Sequence, residues 1–238
     1  MKVNFLFFLL LLVLLLLGCA PTATPTPQTG AVPSTPAQPT TLRLPEPRLQ
    51  SEVSIEEALL KRRSVREYAS VPLTLNQVSQ LLWAAQGITS EWGGRTAPSA
   101  GALYPLEIYV AAGNVEDLAP GVYRYKSERH ELVRISGDDV RGELTKAALG
   151  QGWVKAGAID IVIAAVYERT TKKYGDRGVR YVHLEAGHAA QNIYLQAVAL
   201  DLSIVTVGAF YDDRVRYIMG MPEDEVPLYV IPVGRTVE

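Results

Sequence analysis

The apolar run Ile159-Asp-Ile-Val-Ile-Ala-Ala-Val166 stands in the second half of the chain. A run of this length is typical of a strand that other elements cover on both faces. A helical pattern from about Val179 to Leu200 follows it, and the strand-like run Ser203–Val207 comes next. Strands that alternate with helices in this way predict a sheet buried between layers of helices.

The alternation of helices and strands continues on both sides of this run. Capping boxes at Ser54-Ile-Glu-Glu57 and Thr74-Leu-Asn-Gln77 predict the starts of two helices, of which the second ends at Gly87. The other predicted elements are a strand at Leu106–Ala112, a hairpin formed by Val122–Tyr125 and Leu132–Ile135, a helix from Asp138 or Asp139 to Leu149, a short helix capped by Asp212, and a closing strand at Leu228–Val233. These elements leave two fold classes open, α+β and α/β.

The composition excludes several classes of protein. The chain has 238 residues, of which 48% are hydrophobic and 20% are charged, and its net charge is −2. A slightly acidic balance argues against a nucleic-acid binder, because such a protein needs a concentrated basic surface. The one cysteine excludes an intrachain disulfide and argues against a cysteine-built zinc site.

The amino terminus has the pattern of an export signal. Lys2 precedes an apolar run that ends at Leu17, and as a helix this run would span roughly 22 Å, short of a hydrocarbon core of about 30 Å. Its end, Leu16-Leu-Gly-Cys19, resembles the bacterial lipobox, which implies that residues 1–18 are a lipoprotein signal peptide and that Cys19 carries a lipid. The alternative is an uncleaved anchor in which Cys19 is an incidental thiol. Both alternatives predict an extracytoplasmic domain of the cell envelope that is anchored to the membrane.

A linker is expected behind the lipid attachment point. Residues 19–50 are rich in proline and threonine and contain little apolar surface. Such a composition cannot offset the entropy lost on ordering, so we expect this segment to be extended and disordered. The folded domain is then expected at residues 51–238.

A basic segment follows the first predicted helix. Guanidinium groups bind phosphate in a bidentate manner, and a serine hydroxyl adds a neutral hydrogen bond. The segment Arg62-Arg-Ser-Val-Arg66 resembles the first flavin motif of the nitroreductase-like flavoproteins. The resemblance implies that Arg62, Arg63, Ser64 and Arg66 bind the phosphate and ribityl chain of FMN. The alternative is a solvated end of a helix.

A loop of small residues carries a second resemblance. Prolines and small side chains make it rigid and allow its backbone to approach a flat ligand closely. The segment Pro98-Ser-Ala-Gly-Ala-Leu-Tyr-Pro105 is similar to the signature of the SagB-type (ThcOx-like) dehydrogenase branch of the same family. The resemblance implies that Pro98, Ser99, Ala100 and Gly101 pack beside the isoalloxazine bound by the partner subunit. The alternative is an ordinary surface loop.

A polar segment, expected as a loop, joins the strand at Ile159 to the long helix. Such a loop on a rigid scaffold is a common place for functional groups. Its Lys173-Tyr-Gly-Asp-Arg-Gly-Val-Arg-Tyr181 stretch is similar to that of SagB-type azoline dehydrogenases, where a Lys-Tyr pair serves catalysis. The resemblance makes both proton-handling candidates: Tyr174 as a neutral donor, and Lys173 as a base if its pKa is depressed. The alternative is a connector of mixed charge.

Two further glycine-containing segments complete the resemblance. Gly208 and Ala209 follow a predicted strand, and the matching amide in the family bonds to flavin N5. Gly234 and Arg235 end the closing strand, and the matching arginine returns to the FMN phosphate. Together the motifs extend from residue 62 to residue 235 in the order of the family.

The histidines do not predict a metal site. His183 and His188 are five residues apart, which is not the spacing of a metal-binding pair on a helix. Small residues around His188 favour an interior or dimer-interface helix over a catalytic histidine.

The resemblance implies an α+β, nitroreductase-like fold with a central mixed sheet flanked by helices, and an intertwined homodimer. It implies noncovalent FMN, with NAD(P)H as an electron donor, and hydride transfer between flavin N5 and an unknown small-molecule or peptide substrate. Azoline oxidation on ribosomal peptides takes place beside a cytoplasmic enzyme, so the expected location favours a small molecule. The alternatives are a different reaction on the same fold, such as flavin destruction or nitro-group reduction, and a noncatalytic flavin-binding envelope lipoprotein.

Overall fold

This computed structural model describes residues 40–237, in which seven strands form one sheet and seven helices cover it. The strands are β1 (Thr41–Arg43), β2 (Leu106–Ala112), β3 (Gly121–Lys126), β4 (Glu131–Ser136), β5 (Ile159–Ala165), β6 (Leu202–Ile204) and β7 (Val226–Arg235). The helices are α1 (Ile55–Lys61), α2 (Leu75–Gln86), α3 (Arg141–Ala147), α4 (Trp153–Ala156), α5 (Glu168–Tyr174), α6 (Arg177–Ala199) and α7 (Asp212–Ile218). These elements confirm the α+β class.

The sheet has the strand order β1-β4-β3-β2-β5-β7-β6, and each pair of neighbours in it is antiparallel. The expectation of a mixed sheet is therefore wrong for the described strands. β5 and β6 do point in the same direction, as their helical connection suggests. They are not neighbours, because the carboxy-terminal strand β7 lies between them and pairs antiparallel with both.

The sheet separates two apolar cores. On one face, β5 side chains such as Ile161 pack with residues of α2 and α6, including Leu81 and Ile193. On the other face, Val162 packs with residues of α3, α4 and α7, including Leu144. The whole of β5 is buried, which confirms the prediction from its apolar sequence.

Side-chain caps fix the starts of the first two helices. Ser54 accepts a hydrogen bond of 3.1 Å from the Glu57 N–H, and Thr74 forms a reciprocal capping box with Gln77. α7 differs from the prediction, because Tyr211 occupies the capping position and Asp212 is the first helical residue. There Asp212 contributes negative charge to the first turn of the helix.

The ordered domain begins before residue 51. β1 pairs with β4 within the segment expected to be a disordered linker, and Leu44 next to it is 3% exposed. The Leu44 N–H donates a 3.0 Å hydrogen bond to the carbonyl of His130. The linker prediction is therefore wrong for residues 41–44, because this short edge strand is stabilised by a distant partner rather than by its own composition.

The segment after β5 also differs from its prediction. Residues 168–174, expected to belong to a polar loop, form α5, and α6 begins at Arg177. The signal sequence, Cys19 and most of the linker lie outside the described residues. Within residues 40–237, the helices are too short or too polar to cross a membrane.

Candidate functional site

The arginine segment, Arg62–Arg66, is extended and lies against β6 and α6. The Val65 N–H donates a 2.9 Å hydrogen bond to the carbonyl of Ile204. The Ser64 hydroxyl is 2.9 Å from Tyr194 Oη, which accepts a 3.0 Å hydrogen bond from the Thr206 N–H. These bonds hold the segment beside the chain that leads from β6 toward residue 208.

The guanidinium groups of this segment point in different directions. That of Arg62 lies 5.2 Å from the ring centre of Tyr194, and that of Arg66 lies 5.3 Å from the ring centre of Trp153. Arg63 Nη1 donates to the carbonyls of Leu60 and Arg62 at 2.9 and 2.7 Å. No ion pair of these three arginines exists among the described residues.

The end of β7 lies beside the chain that leaves the arginine segment. The Ala69 N–H donates a 3.0 Å hydrogen bond to the carbonyl of Arg235. A Cβ at Gly234 would lie 2.7 Å from the Cβ of Tyr68, so glycine allows this close packing. Arg235 Nε is buried, and within residues 40–237 it has no hydrogen-bond partner. Arg63 and Arg235 line two cavities, of about 250 and 790 Å³, that share Lys61 as a lining residue.

Gly208 and Ala209 lie in an exposed, irregular segment between β6 and α7. Val207 pairs with Val230, and the Ala209 carbonyl accepts a 3.0 Å hydrogen bond from Gln151 Nε2. The backbone hydrogen bonds of the described chain use neither the Gly208 nor the Ala209 N–H. Both amides are therefore available to a ligand.

The glycine loop, Pro98–Tyr104, meets the Lys-Tyr pair of α5. Gly101 has a φ of +65°, and a Cβ there would lie 2.7 Å from Tyr174 Oη and 2.9 Å from Lys173 Nζ. The Ser99 hydroxyl accepts a 2.9 Å hydrogen bond from the Tyr104 N–H and closes the loop. The positive φ favours glycine at this position, and its lack of a side chain leaves room for the ends of Lys173 and Tyr174. The structure thus brings the second and third motifs together.

The predicted site residues thus fall into two groups. The first contains Arg62, Arg63, Ser64, Arg66, Gly208, Ala209, Gly234 and Arg235, and the second contains Pro98, Ser99, Ala100, Gly101, Lys173 and Tyr174. The described contacts do not join the two groups directly. Each group contacts α6: Ser64 of the first group bonds to Tyr194, and Tyr174 of the second packs on Tyr181. Tyr181 and Tyr194 are 13 residues and hence roughly 20 Å apart along the helix.

A salt-bridge network supports the second group, and the sequence analysis did not find it. Glu107 on β2 binds Arg169 of α5 at 2.5 Å and Arg124 of β3 at 2.9 Å. Arg169 also donates a 3.1 Å hydrogen bond to the Tyr104 carbonyl at the end of the glycine loop. Burial would raise the pKa of Glu107, but the hydrogen bonds from the two arginines lower it below its ordinary value. A charged residue in a polar segment gives no sequence signal of such pairing.

The network continues to Glu225, which directly precedes β7 at the same end of the sheet. Arg124 binds Glu225 at 2.8 Å, and the Tyr109 hydroxyl donates a 2.5 Å hydrogen bond to the same carboxylate. Burial raises the pKa of Glu225, although the Tyr109 hydroxyl and Arg124 oppose this shift. The network therefore fixes α5 and the glycine loop to the body of the sheet.

The histidines serve as local hydrogen-bond partners. His183 Nε2 is 2.5 Å from Tyr167 Oη, while His130 contacts Ser79 and Tyr125 at 2.7 and 2.9 Å. His188 on α6 is exposed. Residues 40–237 contain no group of three or more His, Cys, Asp or Glu side chains that could hold a metal ion.

The sheet and its two helical layers are those of the nitroreductase fold. A solved structure of this class from Ralstonia eutropha has a TM-score of 0.73 and 31% sequence identity to this chain, and the match covers 83% of this chain and 90% of that one. The sequence agrees with the fold: the chain belongs to the nitroreductase family, whose profile matches residues 59–235. Members of this family are in general flavin-dependent oxidoreductases and are commonly dimeric.

Three curated proteins are also similar to this chain in sequence. A Methanocaldococcus jannaschii protein named for the nitroreductases, MJ1384, is 54% identical over 187 residues, which cover 79% of this chain and 93% of that protein. The trifolitoxin operon protein TfxC of Rhizobium leguminosarum is 26% identical over 76% of this chain and 55% of its own length. An NADPH-flavin oxidoreductase of Vibrio harveyi is 24% identical over 75% of this chain and 64% of its own length.

Proposed function

We propose that this protein is an FMN-dependent oxidoreductase of the SagB type that binds its flavin noncovalently. The observation that carries the proposal is the contact of Gly101 with Lys173 Nζ and Tyr174 Oη. This contact joins the loop that would pack on the flavin to the two side chains that would handle protons. The similarity to TfxC also supports a SagB-type branch.

The chemistry of the first group suits a flavin phosphate. Arg62, Arg63, Arg66 and Arg235 form no ion pairs among the described residues, so their charges are not neutralised by carboxylates of this part of the chain. Arg235 in addition offers the buried, unpartnered Nε. A phosphate that accepted hydrogen bonds from these donors would be held by charge-assisted contacts. The residues present therefore fit FMN.

Each group of residues would have its own task. FMN, when bound, supplies hydride transfer at N5. The exposed N–H groups of Gly208 and Ala209 would orient the ring by donating hydrogen bonds. Tyr174 would donate a proton from Oη, and Lys173 would accept one at Nζ.

The separation of the two groups favours a homodimer. Roughly 20 Å of α6 lies between them, and dimers are common in the family. We propose that the arginine segment of one protomer and the glycine loop of its partner complete each flavin site.

The expected amino-terminal signal supports a place for the reaction outside the cytoplasm. We propose that Cys19 is lipidated and anchors the domain outside the cytoplasm, where NAD(P)H is scarce. An unknown small molecule would then reduce the flavin, and an envelope electron carrier or oxygen would reoxidise it. Replacing Cys19 by Ser tests the anchor, because the variant is expected to leave the membrane fraction.

Flavin content tests the proposed function. Full-length protein solubilised in detergent is expected to be yellow, with about one FMN per chain. A colourless protein that takes up no added FMN contradicts the proposal. Anaerobic reduction by NADH, NADPH and dithionite in turn identifies the donor, and reduction by dithionite alone favours a dehydrogenase that its substrate reduces.

A noncatalytic flavin-binding lipoprotein is the alternative function. Tyr174→Phe separates the two, because it removes the proton donor and leaves the ring that packs edge-to-face on Tyr181. The catalytic proposal expects the variant to retain flavin and to turn over more slowly by roughly a hundredfold. Equal turnover by the variant removes Tyr174 from the chemistry.

A further inference from the structure

A polar cavity of about 260 Å³ lies beside the glycine loop, and the proposed function does not use it. It lies between the end of α2, which contributes Gln86, and the strands β2 and β3, which contribute Glu107 and Lys126. Glu128 from the turn after β3 and Arg169 from α5 add further polar lining. The Glu128 side chain is 62% exposed, so the cavity reaches solvent at this residue.

Two arginines connect the cavity to the glycine loop. The Arg95 guanidinium lies 4.6 Å from the ring centre of Tyr104, and Arg169 donates its 3.1 Å hydrogen bond to the Tyr104 carbonyl. Both arginines line the cavity. A molecule bound there would therefore lie next to Tyr104, the residue whose N–H closes the loop on Ser99.

The acceptors of this cavity are already in use. Arg95 donates a 3.0 Å hydrogen bond to Gln86 Oε1 and binds Glu128 at 3.2 Å. The Glu107 carboxylate binds Arg169 at 2.5 Å and is shared with a second arginine on β3. Since the carboxylates and the amide oxygen each face a guanidinium group, the cavity does not suit a cationic ligand.

Two donors of the cavity, by contrast, have no partner. Lys126 forms no ion pair with a carboxylate of the described residues. Gln86 is 1% exposed, and its Nε2 has no hydrogen-bond partner within residues 40–237. A buried N–H group without an acceptor is costly, so an acceptor that entered the cavity would remove this cost.

We propose that this cavity binds a small organic acid through its carboxylate group. One carboxylate oxygen accepts a hydrogen bond from the Lys126 ammonium group, and the other accepts one from Gln86 Nε2. The lining carries three cationic and two anionic side chains, so its single excess positive charge matches a monoanion. Leu106 and the ring of Tyr125 also line the cavity and offer contacts to the carbon chain of the acid.

Solution NMR on the full-length protein in detergent tests the site. Sodium butyrate is added at constant ionic strength, and the side-chain amide of Gln86 and the Arg95 Nε–H are followed in protein labelled with nitrogen-15. Both resonances are expected to shift saturably with one common midpoint. Butyramide, which has a similar shape but no charge, and inorganic phosphate are expected to produce no saturable shift. No saturable shift with butyrate, or an equal response to butyramide or phosphate, overturns the inference.

Variants of the two donors sharpen the test, with the Arg95 resonance as the readout. Lys126→Met and Gln86→Leu are each expected to weaken butyrate binding by roughly tenfold, because each removes one hydrogen bond to the carboxylate. Lys172→Met is the matched control, since it removes the same charge from an exposed side chain that is paired with Glu168. Unchanged binding by Lys126→Met, or equal weakening by Lys172→Met, contradicts the proposed site. If Gln86→Leu fails to fold, the two lysine variants decide.

This inference does not depend on the flavin, because the cavity and its two donors belong to the chain itself. A protein that binds butyrate but no FMN refutes the proposed function and leaves this site standing. A protein that binds FMN but no butyrate refutes this inference alone.

Discussion

The protein has two regions rich in arginine, and they differ in what surrounds each guanidinium group. In the arginine segment, Arg62, Arg63 and Arg66 have no carboxylate partner among the described residues. In the salt-bridge network, Arg124 and Arg169 share the carboxylate of Glu107. An arginine side chain therefore stabilises the scaffold where a carboxylate lies within ion-pair distance. Where no carboxylate lies within this distance, the arginine remains available to an anionic ligand.

Removing the shared carboxylate is expected to have the largest effect on stability at a fixed pH. Glu107→Gln leaves Arg169 without its charge partner and Arg124 with Glu225 alone. The Glu107 side chain is 13% exposed and Arg169 is 39% exposed, so solvent weakens the pairs and the free energy of unfolding should fall by about 1.5–3 kcal/mol, less than for a fully buried pair. Urea denaturation measures the loss. A variant as stable as wild type would show that the network is not structural.

Glu185, on α6 and 2% exposed, extends the comparison to a buried carboxyl that forms no ion pair with an arginine among the described residues. Its pKa is about 7 in the folded protein and 4.5 ordinarily, so between these values the folded state binds more protons than the unfolded state. Stability then falls as the pH rises through this window, by about 3 kcal/mol in all. Glu185→Gln should lose less stability than wild type between pH 5 and pH 8 in urea denaturation. Equal pH dependence of the two proteins contradicts the shift.

The arginines without partners are expected to affect ligand binding rather than folding. Arg63→Ala and Arg235→Ala should each weaken FMN binding by roughly 1.5–3 kcal/mol, because each removes a charge-assisted contact to phosphate. Calorimetric titration with FMN measures the change. Arg129→Ala is the control, since Arg129 is exposed and lies 3.7 Å from Glu131. Unchanged affinity in both test variants would assign the phosphate to other residues.

The exposed pair on α5 should have the smallest effect. Glu168 binds Lys172 at 3.2 Å, and both side chains are about 70% exposed. Exposed pairs of this kind contribute less than about 0.5 kcal/mol, so Glu168→Gln should match wild type in urea denaturation. A loss as large as that of Glu107→Gln would mean that burial does not distinguish the two pairs.

Local patterns predicted most of the elements. The apolar sequence of β5, the capping residues Ser54 and Thr74, and the long amphipathic stretch of α6 each depend on nearby residues, and each was predicted close to its observed bounds. α5 was missed because its polar sequence is characteristic of a loop. Its docking depends on the contact of Arg169 with Glu107, which is 62 residues away.

The candidate site was predicted as a set of motifs, and their roles toward FMN stay predictions. The sequence could not indicate that Gly101 would meet Lys173 and Tyr174, since this contact joins residues on opposite sides of β5 in the chain order. It also could not indicate which arginines are paired. Pairing is decided by side chains that are brought together from β2, β3 and α5.

The sequence by itself determined most of the helices, the central strands, the family motifs and the expected signal at the amino terminus, because each is encoded in neighbouring residues. Only the tertiary structure decided the antiparallel sheet, the early start of the domain at β1, the burial of Glu185 and the division of the arginines into paired and unpaired sets. The physical reason is that strand order, burial and ion pairing are properties of residues far apart in the chain. Their free energy arises only when the sheet and its two helical layers have assembled.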